Sequence, residues 1–308
     1  MPSLDLLARD HPRLFDRSIR LDRLPPALWL AAQAAALSPH WLWMLRRLRD
    51  GSDDPLGPLA LAALALLAWR VRRELRASPR LGWLAAAGLG TLAATVLRTG
   101  IAATAGLPGV PALPPLAAGL IAVLALASGL LAFLPRRIAA LPVAGLAVLA
   151  LPLLSSLQFY AGYPLRVLTA EASRWLLAPA FEVAREGSSL WIDGRLVIVD
   201  APCAGIQMAW LGYFTACAVA LHAGRDDRGF MARLPVVGLL VLAGNIVRNS
   251  VLVALEGAGH PAAPWLHDAL GLVLLALVAG GIAWTMARAS RRPGATLARG
   301  GVHAASAA

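Results

Sequence analysis

Three residues of this chain have types and positions that could do chemistry together. Cys203 lies in Pro202-Cys203-Ala204-Gly205, where the polar stretch 161–202 gives way to the apolar run 204–223. Arg248 is inside the next apolar run, and His267 opens the one after it. A thiolate is a strong nucleophile, an imidazole moves protons near neutral pH, and a guanidinium is a permanent cation that only donates hydrogen bonds. Such a set suits nucleophilic cleavage or acyl transfer at a carbonyl. Each residue alone has a plainer reading. A cysteine is often a small buried hydrophobe. A histidine at a helix start often caps or sits at an interface, and an intramembrane arginine can be satisfied by asparagine and backbone. Asp268 and His260 are possible substitutes for His267, and Arg98 reads more readily as a structural ion partner.

What positions these groups is a membrane. Hydrophobic residues make up 58% of the 308, and the mean hydropathy is +0.66. Apolar runs at 26–44, 55–70, 81–105, 110–134, 138–160, 204–223, 234–256 and 267–287 predict an all-α polytopic bundle of about eight transmembrane helices. The first two are the weakest, one carrying Gln33 and Pro39 and the other being short. The predicted organisation is a cytoplasmic tail 1–25, about five helices over 26–160, an extracytoplasmic segment 161–202, three catalytic helices over 203–287 and a cytoplasmic disordered tail 288–308.

The net charge of +11 does not predict nucleic-acid binding, because the basic residues form short clusters between apolar runs. All 28 are arginine. With the N-terminus inside, 19 fall in inside segments, seven in outside segments, and Arg98 and Arg248 within spans. That asymmetry predicts both termini in the cytoplasm. The first 25 residues lack an apolar core, so no cleavable signal peptide is expected. The two cysteines make no disulfide framework. No cofactor or metal is expected, since His-x-x-x-His and Cys-x-x-Cys spacings are missing, as are Gly-x-Ser-x-Gly and His-Glu-x-x-His.

Within 161–202, Leu165, Leu168, Ala172, Trp175, Leu176 and Ala180 repeat at three- and four-residue steps, predicting an amphipathic helix at the interface. Residues 187–194 read as a turn and 195–200 as a short strand, together a small hairpin cap. Pro202 suits a first helical turn, which places Cys203 at a helix N-terminus whose dipole favours a thiolate. Arg248 is 14 residues into its span, or ~21 Å from the cytoplasmic end at about 1.5 Å per residue, hence in the outer half. Burying it there costs at least ~2.5–3.5 kcal/mol on insertion scales, so it must pair or face a cavity. Asn245, Arg248, Asn249, Leu252 and Glu256 would share one helical face. Arg98 also falls in an outer half. Cys217, 14 residues beyond Cys203, is too deep to bond to it and reads as packing, and His222 is excluded for the same reason.

The series Cys203-Ala-Gly205, Asn245-Ile-Val-Arg248 and His267 resembles the exosortases, multispanning membrane thiol transpeptidases of Gram-negative bacteria related to the archaeosortases. The stretch Tyr163-Pro-Leu-Arg-Val-Leu-Thr169 is also similar, and the resemblance is firm over about 155–287. In the N-terminal half only the pattern of spans and Asp53-Asp-Pro-Leu-Gly57 carry it. The chain departs from the family pattern at Ala201, where an acidic residue is common, and at Ala204, where serine is frequent.

The resemblance implies cleavage of a C-terminal sorting signal: a short motif, often Pro-Glu-Pro, then one membrane helix and a basic tail. The partners it implies are membrane-anchored proteins and the lipid bilayer, not nucleic acid. The location it implies is the bacterial inner membrane, with the site facing the periplasm. It further implies that Cys203 forms a thioester, that His267 relays the proton, and that Arg248 holds the thiolate or oxyanion, with Asn245, Arg98 and Asp268 in support. A transporter would tolerate Cys203→Ser, whereas a scaffold of an export system would tolerate loss of Cys203 and Arg248 but not of the amphipathic segment.

Overall fold

The computed structural model describes residues 25–49, 51, 55–104, 115–198, 205–260 and 263–288. Helices α1 (Pro26–Ala36), α2 (Ser38–Arg49), α3 (Gly57–Arg70), α4 (Leu81–Thr104), α5 (Pro115–Phe133), α6 (Ala140–Leu149) and α7 (Leu154–Leu177) come first. A sheet follows, with β1 (Val183–Glu186), β2 (Ser189–Ile192) and β3 (Arg195–Ile198). Helices α8 (Ile206–His222), α9 (Asp227–Met231), α10 (Leu234–Gly257) and α11 (Pro264–Ala287) complete the chain. The protein is a helical membrane bundle, as its apolar runs require: backbone groups in lipid must be satisfied within their own segment.

The expected eight or so spans resolve differently. Among the described residues, four helices are long and apolar enough to cross a membrane: α4, α5, α11 and the run Asp227–Gly257 that contains α10. Helices α6 and α7 meet at a 93° bend and form one broken span or a re-entrant loop. Pro152, which has no amide hydrogen, lies in the break between them. Helices α3 and α8 are shorter apolar helices of 14 and 17 residues. The first predicted span is divided at Leu37; Pro39, in the first turn of α2, has no amide hydrogen with which to continue the ladder of α1.

The predicted amphipathic helix is the distal part of α7, with its apolar stripe turned outward as an interfacial helix requires. Leu168, Trp175 and Leu176 are exposed, while Gly162, Thr169, Ala170, Ser173 and Leu177 are buried. In lipid the outward face is the greasy one, and small or polar residues make the helix–helix contact. The cap has three strands, since the predicted turn 187–194 contains β2. The strands run antiparallel in the order β1-β2-β3, turning at Gly187 and Gly194, both with positive φ. Leu190, Ile192 and Val197 pack on Ala170 and Leu177 of α7 and on Val253 of α10.

Arginines seal one end of the bundle. Arg80 Nε donates to the Leu131 carbonyl at 3.1 Å, and the Arg76 amide donates to the Phe133 carbonyl at 2.9 Å. Arg137 pairs with Glu74, and the Leu141 amide donates to Asp227 at 2.7 Å. The buried Arg225 donates from Nε to the Met286 carbonyl at 2.8 Å, and Arg233 Nε to the Thr285 carbonyl at 3.0 Å. Most of these acceptors are last-turn carbonyls with no partner inside their own helix. Segments 74–80, 131–141, 225–233 and 285–288 therefore share one end, the grouping expected of inside loops. Arg47 donates to Ser155 Oγ at 2.7 Å across the opposite end, where α6 breaks into α7.

Candidate active site

At that opposite end, α8 opens at Ile206, four residues later than the start expected at Pro202. Its cap, Gly205, has φ +75°, a left-handed conformation that ends helical continuity on that side and favours glycine. Cys203 lies outside the described residues, two positions before Gly205 in the chain. Gly205 lies directly against Asn245: a Cβ built on it would be 2.6 Å from the Asn245 carboxamide carbon. A glycine is therefore required twice over, by conformation and by space. Gly205→Ala is expected to cost about 1–2 kcal/mol for the left-handed backbone alone. It should lower the thermal midpoint in detergent, and adding Asn245→Ala should recover part of the loss by removing the clash.

Asn245 is held by α7. Its Nδ2 donates to Thr169 Oγ1 at 3.3 Å. One turn further on, Asn249 Nδ2 donates to Ser173 Oγ at 2.9 Å, and Ser250 Oγ lies 3.0 Å from the same hydroxyl. All five side chains are buried. Thr169 and Ser173 are four apart on one helix, and Asn245 and Asn249 are four apart on the other. Two polar pairs of equal helical spacing were the signal for this zipper, and sequence reasoning passed over it. The expected single polar stripe on α10 divides here. Asn245, Asn249 and Leu252 are buried, Arg248 turns toward α11, and Glu256 is exposed.

Arg248 meets His267. Its Nη2 is 2.7 Å from His267 Nε2. A guanidinium nitrogen can only donate, so Nε2 is the acceptor in this contact, the role it has in the tautomer that carries its proton on Nδ1. The Nε of Arg248 is buried and has no hydrogen-bond partner among the described residues. Gly271, one turn below His267 on α11, leaves space for the guanidinium; a Cβ there would stand 3.4 Å from Arg248 Nε. Neither glycine is recognisable as a site residue from sequence, because its role depends on which way two helices face.

Arg248 and Gly271 line a cavity of about 420 Å³ with Gly205, Gln207 and Asp268 at its polar part. Below these, Met208, Leu211, Leu272 and Leu275 make the wall apolar. The structure thus brings Arg248, His267, Asp268 and the α8 start together. It leaves Arg98 elsewhere, with its guanidinium 5.6 Å from the centre of the Trp43 ring on α2, and Arg98 does not line this cavity. His260 is exposed in the loop after α10. Cys217 is buried in α8 against Gly145, where a Cβ would come within 2.7 Å of its sulfur.

A multi-pass helical bundle with an asparagine–arginine helix and a histidine helix converging on the start of a third is the class defined by this geometry. The chain belongs to the transmembrane exosortase family, whose profile matches residues 43–284. No curated protein and no solved structure matches it.

Proposed function

We propose that this protein is a cysteine endopeptidase and transpeptidase of a bacterial inner membrane, cutting the C-terminal sorting signal of membrane-anchored exported proteins on the periplasmic side. The observation that carries this reading is the Arg248–His267 contact on the cavity opened by Gly205. Two peptide units of about 3.8 Å each tether Cys203 to Gly205, so its backbone stays within about 8 Å of the cavity wall.

The Cys203 thiol attacks the scissile carbonyl carbon, giving its proton to His267. In the resting arrangement the one lone pair of the imidazole is occupied by Arg248. Charge developing on the carbonyl oxygen draws Arg248 away, which stabilises the oxyanion and uncovers the base in one movement. The C–N bond then breaks, the amine leaves with the proton from His267, and a thioester remains on Cys203. An amine or water resolves it. The apolar lower wall suits a substrate whose membrane helix continues from the cut site.

The test uses the full chain in proteoliposomes with a protein ending in a Pro-Glu-Pro motif, an apolar helix and a basic tail. Hydroxylamine should release that protein as a C-terminal hydroxamate, read by mass. A membrane-impermeant maleimide added from the periplasmic side should label Cys203 and spare Cys217. Release as the free acid alone, at a rate insensitive to hydroxylamine, would exclude the thioester route, and labelling of Cys217 in preference to Cys203 would invert the topology.

A further inference from the structure

Asp268 and Arg248 line the same cavity with opposite charges, yet they do not pair with each other. The hydrogen bond of Arg248 goes to His267, and Asp268 has no ion pair among the described residues. The wall below both is Met208, Leu211, Leu272 and Leu275. Asp268 is exposed, so a cation arriving from water can reach its carboxylate directly. Asp268 follows His267 directly on α11, about 100° around the helix axis, and Gly271, against which Arg248 packs, lies one turn further along the same helix. Arg248 and Asp268 on the cavity wall, with His267 in contact with Arg248, therefore offer an oxyanion group, a cation-binding group and a base on neighbouring positions.

We infer that Asp268 binds the acyl acceptor, and that the acceptor class is a primary amine arriving as its ammonium ion. The inference rests on the thioester reading above. With the ammonium on Asp268, one N–H proton passes to the Nε2 of His267, free once Arg248 is on the oxyanion. The amine nitrogen attacks the thioester carbonyl, the C–N bond forms and the C–S bond breaks. The second proton leaves the nitrogen for the Cys203 thiolate, giving an amide, a thiol and an imidazolium that returns its proton to solvent. Asp268 itself keeps its charge throughout; it selects and orients the acceptor rather than accepting its proton.

The experiment offers the full-length enzyme in proteoliposomes, with the same sorting-signal substrate, an equimolar mixture of ethylamine, a cation at neutral pH, and hydroxylamine, which is neutral there. The readout is the ratio of ethylamide to hydroxamate. That ratio is internal to each preparation, so it does not depend on how much protein is folded. Asp268→Asn should lower it about threefold, the size of a lost solvent-exposed ion pair, and Asp268→Glu should restore most of it. A ratio unchanged in Asp268→Asn, or an equal fall of both products, overturns the acceptor role while leaving the thioester reading intact. A wild-type enzyme that forms no hydroxamate overturns both.

Discussion

Cys203→Ala is expected to leave a candidate sorted protein at its full precursor mass, while Cys217→Ala processes it at the wild-type rate. The two thiols are chemically alike, so the difference lies in place. Cys217 is buried in α8 against Gly145 and is not among the residues that line the cavity of Arg248. Cys203 is tied by two peptide bonds to Gly205, on the wall that also carries Arg248. Loss of the nucleophile removes the covalent route, and cleavage should fall by at least roughly a thousandfold, as when a nucleophile is deleted from other acyl-transfer enzymes. Cys203→Ser is the sharper variant, because an alcohol at the same position is far harder to ionise. Retention of processing in both Cys203 variants would return the chain to the transporter or scaffold readings.

The second large effect is expected at Arg248. Arg248→Gln should lower the cleavage rate by roughly 10²–10³-fold, the cost of removing one oxyanion donor. Arg248→Lys should rescue little. An ammonium can carry the charge, but it cannot present Nη2 to His267 and a second N–H toward the cavity at once, as a planar fork does. Substrate affinity should change less than turnover, since the oxyanion exists only in the transition state. Gly271→Leu is expected to imitate the Arg248 variants in part by filling the space that the guanidinium uses. Single-turnover measurements separate the two parameters. A lysine variant with near-normal turnover would reduce Arg248 to a charge and remove the proposed exchange between base and oxyanion.

Much of the fold was readable because lipid leaves a chain few choices. The runs at 81–105, 110–134, 234–256 and 267–287 appear as α4, α5, α10 and α11. Depth counting placed Arg248 with the start of α11, and the two side chains touch. On α7 the apolar steps point outward, as an interfacial helix requires, and what the sequence did not single out is the opposite face, Thr169, Ala170 and Ser173, that meets the bundle. Strand β2 was hidden because Gly187, Asp193 and Gly194 are turn residues at both of its ends. Arg98 shares a depth with Arg248 but sits on α4, which packs on α5, so depth alone did not fix its neighbours. Gly205 and Gly271 matter through what they leave empty, and a one-dimensional string does not display emptiness.

The seam of guanidiniums on peptide oxygens has a practical outcome. Arg80, Arg225 and Arg233 there bind backbone carbonyls rather than carboxylates, so mild acid has nothing to protonate at those contacts. Acidification that loosened carboxylate clamps elsewhere, such as Glu171 between Arg174 and Arg185, would leave these three fastenings in place. Beside the carboxylate contacts of Glu74 and Asp227 at the same rim, the molecule thus keeps three fastenings indifferent to pH, and it is free to work at the other end.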